Sequence, residues 1–151
     1  MLAQIRPDDW DFPLLLHVLG AMLLVGATLM ATIAALAGWR SDNSTLARLA
    51  FRTLLLGVIP AWILMRIGAG WIESREGFGD ESPGWLQVGV IVAEPGLLLL
   101  LIATLLSGLG LRRARKSGGG GGLTRAAGVL AAILLVAYLV AVWAMTAKPG
   151  A

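Results

Sequence analysis

Four side chains able to carry charge or share a proton stand inside long apolar stretches of this sequence: His17, Arg66, Glu94 and Tyr138. An imidazole, a guanidinium, a carboxylate and a phenol could form a structural ion pair, bind a proton or cation, or hold a small polar solute. Glu94 draws most attention. It lies with Pro95 and Gly96 inside GVIVAEPGLLLLLIATLLSG, residues 89–108, a run long and apolar enough to cross a bilayer. A charged group in the middle of such a run costs roughly 3 kcal/mol on insertion scales, so Glu94 is expected to face protein or water, with the other helices packed around it. Pro95 removes one helical hydrogen bond and frees a carbonyl near Ile91. Irregular backbone of that kind is tolerated in a membrane where it lines a cavity or meets another helix.

The rest of the composition narrows the chemistry. There is no cysteine, which excludes disulfides, thiolate metal sites and thiol nucleophiles. With a single histidine, bis-histidine haem ligation within one chain is impossible, and His17, Glu94 and a methionine such as Met22 or Met65 make too thin a donor set for a metal site. No nucleophile, base and orienting acid assemble around one histidine. No glycine-rich phosphate loop follows a strand. Neither enzyme activity nor a cofactor is expected. The pI near 10.2 does not point to nucleic acid, because the basic residues sit in segments that border apolar spans, where topology accounts for them.

The elements that must position the four side chains are membrane helices. Of 151 residues 58% are hydrophobic and 14% charged, against about a quarter charged in a soluble domain. Four apolar spans stand out at about 13–38, 53–72, 86–111 and 125–146, each close to or above the ~20 residues a bilayer needs. The expected fold is an all-α bundle of four transmembrane helices forming one integral membrane domain. Alternating segments of ~10 residues, the mark of a transmembrane barrel, are absent. The first span is too long for a signal peptide and follows an acidic start. Pro13 suits the first turn of its helix, and Pro60 should kink the second span. Residues 39–52 read as a loop with Ser41-Asp42-Asn43-Ser44 supplying turn and cap chemistry. Gly118 to Gly122 reads as a flexible tether, with Thr124 as a helix cap.

The loops also carry an orientation. Residues 39–52 and 112–124, with Arg125, hold eight basic residues against Asp42 alone, whereas the N-terminus and the segment 73–84 hold seven acids against Arg6 and Arg75. The positive-inside rule then makes 39–52 and 112–124 cytoplasmic and puts both termini outside. At a rise of ~1.5 Å per residue, His17 lies about 6 Å, Arg66 about 9 Å, and Glu94 and Tyr138 about 12 Å below the outer ends of their spans. All four fall in the outer half, which predicts an outer polar cluster lining a wet vestibule. On span one His17, Ala21, Leu24, Thr28, Ala31 and Ala35 share a face that should point inward, because small and polar residues mark helix contacts in membranes. Gln87, Glu94, Leu98, Leu101, Leu105 and Gly108 share a face on span three. On span four Gly128, Ala131, Leu135, Tyr138, Val142 and Met145 do so.

The opening of span one, Leu15-Leu16-His17-Val18-Leu19-Gly20 followed by Gly26, resembles small bacterial four-span membrane proteins with a distant likeness to the CopD copper-resistance family. Glu73-Ser74-Arg75-Glu76, Ala93-Glu94 and Trp143-Ala144-Met145-Thr146-Ala147-Lys148-Pro149 resemble them too. The resemblance implies a bacterial inner-membrane protein linked to metal or small-solute handling. The chain lacks the further histidines and methionine clusters of copper handling, so that activity is not carried over. Two readings follow. In the first, His17, Arg66, Glu94 and Tyr138 serve transport or sensing of a small solute, proton or ion. In the second, the protein is a non-transporting structural or assembly subunit in which Arg66 and Glu94 fix helix packing. Either makes the lipid bilayer, a second copy or a partner membrane protein the expected partner, with no role for nucleic acid.

Overall fold

A computed structural model describes residues 11–76 and 84–148 of the chain. Its described residues are almost entirely helical: α1 (Asp11–Arg40), α2 (Ser44–Thr53), a π-helical turn (Leu54–Val58), α3 (Ile59–Glu76), α4 (Gly84–Ser117) and α5 (Gly121–Ala147). Since α2, the π turn and α3 run on without a break, the helices amount to four, each long and apolar enough to cross a membrane. The chain is an all-α, multi-pass membrane bundle. Tryptophan–cation contacts mark its two ends. Arg125 lies 4.7 Å over Trp39 at the basic end, while Arg75 over Trp71 at 5.8 Å and Lys148 over Trp85 at 5.0 Å lie at the other. Rings and cations placed this way suit the two membrane–water boundaries.

Helix α1 is the centre of the bundle, packing on α2 and α3 along one side and on α5 along another, while α5 carries α4. Small residues permit the approach. A Cβ at Gly20 would overlap the Met65 backbone, and one at Gly68 would stand 2.5 Å from the His17 nitrogen. Helices in lipid gain little from hiding apolar surface, so association rests on such close packing. Leu24, Leu54, Val58, Leu100 and Leu134 fill the middle, each at most 3% exposed. Thr28 and Thr32 add polar groups to the α1 core but donate to the carbonyls of Leu24 and Thr28, at 2.6 and 2.8 Å. The inward face predicted for span one is the one observed at Leu24, Thr28, Ala31 and Ala35.

Where a kink is expected at Pro60, the backbone forms a π turn just before it. The Ile59 amide reaches five residues back to the Leu54 carbonyl, a widening that gives the Pro60 ring room where it would otherwise press on the preceding turn. The π turn separates two halves of one span. On the basic side α2 packs against both α1 and α4, whereas beyond the π turn α3 stays with α1 and meets α4 only sparsely. The four helices therefore close at one end and leave an open seam between α3 and α4 at the other.

Four local expectations need correction. Residues 44–53 are helical rather than loop, since the Asn43 side chain accepts from the Thr45 and Leu46 amides and starts α2 at the turn. Helix α4 continues to Ser117 and α5 begins at Gly121, so the expected loop 112–124 shrinks to three residues. The glycine run is consequently a tight turn and not a tether. Gly118 and Gly120 hold φ of 70° and 155°, and a Cβ on Gly120 would overlap the Gly110 carbonyl oxygen. Thr124 is not the cap either; it lies inside α5, its hydroxyl donating to the Gly120 carbonyl at 3.3 Å.

Candidate functional site

The open seam is crossed by two side chains one turn apart on α3. Trp62 donates its indole N–H to the Ala93 carbonyl at 3.1 Å, and Arg66 donates from Nη2 to Glu94 Oε1 at 2.9 Å. Helical spacing explains the register: residues four apart lie on one face, and their partners Ala93 and Glu94 are adjacent on α4. Pro95 follows at once and has no N–H, which leaves the Ile91 carbonyl without its helical donor. The cross-helix donor nevertheless goes to Ala93, placed toward α3, while Ile91 is among the most exposed side chains of α4, at 66%. The clip therefore uses long side chains where α3 and α4 stand apart. Trp62 escapes a search for charged groups in apolar spans, although its position four residues before Arg66 is a readable signal.

The pair does not face the interior. Its side chains are 32% exposed for Arg66 and 58% for Glu94, and the face that Glu94 shares with Leu98, Leu101 and Leu105 is the outer face of α4, those leucines being 61%, 42% and 66% exposed. The expectation that the helices pack around Glu94 is overturned. The buried side of α4 is instead Ala93, Gly96, Leu100, Ala103, Ser107 and Gly110, mostly small residues against which α5 can lie. Glu94 stands nine residues below Trp85, about 14 Å, and Arg66 five residues below Trp71, about 8 Å. A charged pair therefore lies at hydrocarbon depth on the outside of this chain.

The other two candidates occupy different places. His17 donates from Nδ1 to the Met65 carbonyl at 3.1 Å, fastening α1 to α3 beside the Gly20 and Gly68 contacts. Tyr138 is buried with Leu24, Leu100 and Leu134 and packs against Gly96, and its hydroxyl has no hydrogen-bond partner among the described residues. Arg66 and Glu94 thus come together, while His17 and Tyr138 are held separately, by α3 backbone and by the core. The described core between the helices is apolar, built from Leu24, Leu54, Val58, Leu100 and Leu134 around Tyr138. Two grooves between the described helices run along α1 and are apolar. Chemically, the seam offers a donor and an acceptor of opposite charge, presented sideways to whatever surrounds the bundle. No family model, curated protein or solved structure matches the chain.

Proposed function

We propose that this chain is a membrane-embedded assembly subunit that self-associates through the α3–α4 seam, and that it does not itself carry a solute, proton or ion. The observation behind this reading is the position of the Arg66–Glu94 pair on the outside of the bundle, 32% and 58% exposed. Lipid tails cannot solvate either charge, and a pair left there bears the desolvation of both groups without the further hydrogen bonds that would offset it. A second protein surface can supply those bonds. One cation and one anion side by side are self-complementary: a two-fold axis along the membrane normal sets Arg66 of each copy against Glu94 of the other. The same axis brings the exposed Ile91, Leu98, Leu101 and Leu105 of α4 toward the partner's open seam. Transport fits less well, because Leu24, Leu54, Val58, Leu100 and Leu134 fill the space that a pathway would need.

Charge rescue between chains tests the proposal. Glu94→Lys puts four cations, and Arg66→Glu four anions, at the two-fold axis, so each variant alone is expected to be monomeric in mild detergent. Co-expressed with different tags, the two should recover a mixed dimer, since the copy carrying Glu94→Lys then faces only carboxylates. Neither chain regains its internal pair, so rescue can come only from contact between chains. A wild-type chain that is monomeric both in detergent and by single-molecule counting in bilayers would refute the reading. Cation or proton flux in vesicles that Glu94→Gln abolishes without loss of stability would restore the transport alternative.

A further inference from the structure

Away from the seam between α3 and α4, a groove of about 430 Å³ runs between α1 and α2. Gly26, Met30, Ile33 and Ala37 form its α1 wall, and Leu46 and Leu49 its α2 wall. From Gly26 to Ala37 is eleven residues, about 17 Å, close to half of a ~30 Å hydrocarbon layer. The groove is thus the length of one leaflet's acyl chain and opens toward the bilayer along its flank. Gly26 supplies its depth: a Cβ there would meet no atom within 4 Å.

Its basic end carries charge in register. Gly26, Met30, Ile33, Ala37 and Arg40 follow one another at steps of three and four, so Arg40 continues the α1 wall one turn beyond the groove. Arg52 lies three residues beyond Leu49, on the same flank of the chain as the α2 wall. Side chains on a helix lean toward its N-terminus. Arg40, at the end of α1, therefore leans up toward the groove, and Arg52, on the antiparallel α2 at about the level of Ile33, leans down along the groove toward Arg40. Both are exposed. Asp42 is the one carboxylate of residues 39–52, and among the described residues neither arginine pairs with a carboxylate or stacks on an aromatic ring as Arg125 does on Trp39.

We infer that the groove between α1 and α2 is a site for an anionic phospholipid, one acyl chain lying along Gly26 to Ala37 and the phosphate headgroup held between Arg40 and Arg52. The apolar stem selects a lipid over a free anion, and the two guanidiniums select an anionic headgroup over a zwitterionic one. The site is independent of the seam between α3 and α4 and does not rest on the assembly reading.

The test uses the full chain, delipidated in a mild non-ionic detergent. It is titrated in parallel with phosphatidylglycerol, phosphatidylcholine of the same acyl chains, and inorganic phosphate. Bound lipid is counted by native mass spectrometry and the thermal midpoint followed. One phosphatidylglycerol should be retained per chain with a preference over phosphatidylcholine of roughly thirtyfold, the factor that two basic side chains near an anionic surface supply. The midpoint should rise with that lipid alone. Arg40→Gln with Arg52→Gln should abolish the preference. Gly26→Leu, which has room to fill the groove without touching either arginine, should abolish retention. Equal retention of both lipids, a preference that survives the double arginine variant, a shift produced by inorganic phosphate alone, or retention unaffected by Gly26→Leu would each overturn the inference.

Discussion

Alanine at Gly68 and alanine at Gly70 are the same change two residues apart on one helix, and the packing of α3 on α1 predicts opposite outcomes. At Gly68 the new Cβ would stand 2.5 Å from the His17 nitrogen and 2.8 Å from both the His17 Cα and the Pro13 carbonyl oxygen. All three are main-chain atoms that cannot swing aside. Ordinary contact needs about 3.4 Å or more, so α1 and α3 must part by about 1 Å, and overpacking of that kind costs about 1–3 kcal/mol. Parting also stretches the bond from His17 Nδ1 to the Met65 carbonyl beyond its present 3.1 Å, out of useful hydrogen-bond range, for about 1 kcal/mol more. The sum is about 2–4 kcal/mol, a factor of roughly thirty to several hundred in the folding constant. At Gly70 the Cβ meets nothing within 4 Å, and alanine should hold or raise stability by up to about 1 kcal/mol through helix propensity. Reversible unfolding in mixed micelles against the mole fraction of dodecyl sulfate, followed by far-ultraviolet circular dichroism, reads both. His17→Ala combined with Gly68→Ala should cost less than the two separate losses added together, because the bond is already broken. If the two alanine variants unfold at the same detergent fraction, α1 and α3 do not touch at Gly68 and the account of why the seam opens fails with it.

Three further outcomes are expected. Tyr138→Phe removes a buried hydroxyl that has no partner among the described residues and should leave stability unchanged or raise it by about 1 kcal/mol; a clear loss in the same micelle titration would show that the hydroxyl is engaged. Gly120→Ala should destabilise by about 1–3 kcal/mol, since it forces a side chain into a left-handed conformation against the Gly110 carbonyl, whereas Gly122→Ala, with open space around it, should be neutral; equal tolerance would make the glycine run a tether after all. A cysteine at Ser74 should react with an impermeant thiol reagent in intact cells and one at Ser44 only after lysis, on a chain with no native cysteine, and reversed labelling would overturn the inside assignment of the basic end.

The spans are legible because length and apolarity alone decide whether a helix can cross a bilayer, and these four segments satisfy both with margin. Their ends are less legible for a related reason. Apolarity stops at the edge of the hydrocarbon but the helix does not, as α2 shows in its amphipathic Ser44–Thr53 stretch and α4 in its basic last turns. Asn43 offers cap chemistry and does cap, yet what it starts is helix rather than loop. The glycine run misleads through composition: five glycines suggest slack, but two of them meet the demands of a tight turn on positive φ and close approach.

The face of α4 shows most clearly where pattern reading stops. On α1 the small and polar residues mark the contact face, and Leu24, Thr28, Ala31 and Ala35 are buried there. The same rule on α4 selects Ala93, Gly96, Ala103, Ser107 and Gly110, the side that α5 covers; giving more weight to a single carboxylate turns the expected face by nearly half a turn. In lipid the charge of one residue does not set the packing face, because a helix pair is held by how closely its backbones approach and an outward charge can be satisfied by a neighbour. Where that neighbour lies depends on parts of the chain far from Glu94. The π turn before Pro60 breaks the regular helix of the second span, and beyond it Gly20, Gly68 and the His17–Met65 bond hold α3 close to α1. Only after those non-local contacts are made does Arg66 reach Glu94 from outside the bundle. The exposure of the pair is thus a consequence of the tight α1–α3 packing: the contacts that stabilise one helix pair leave another incomplete, and the incomplete side is where the chain carries an exposed cation and anion together. On the proposed reading, that open side along α4 is where a second copy completes the bundle.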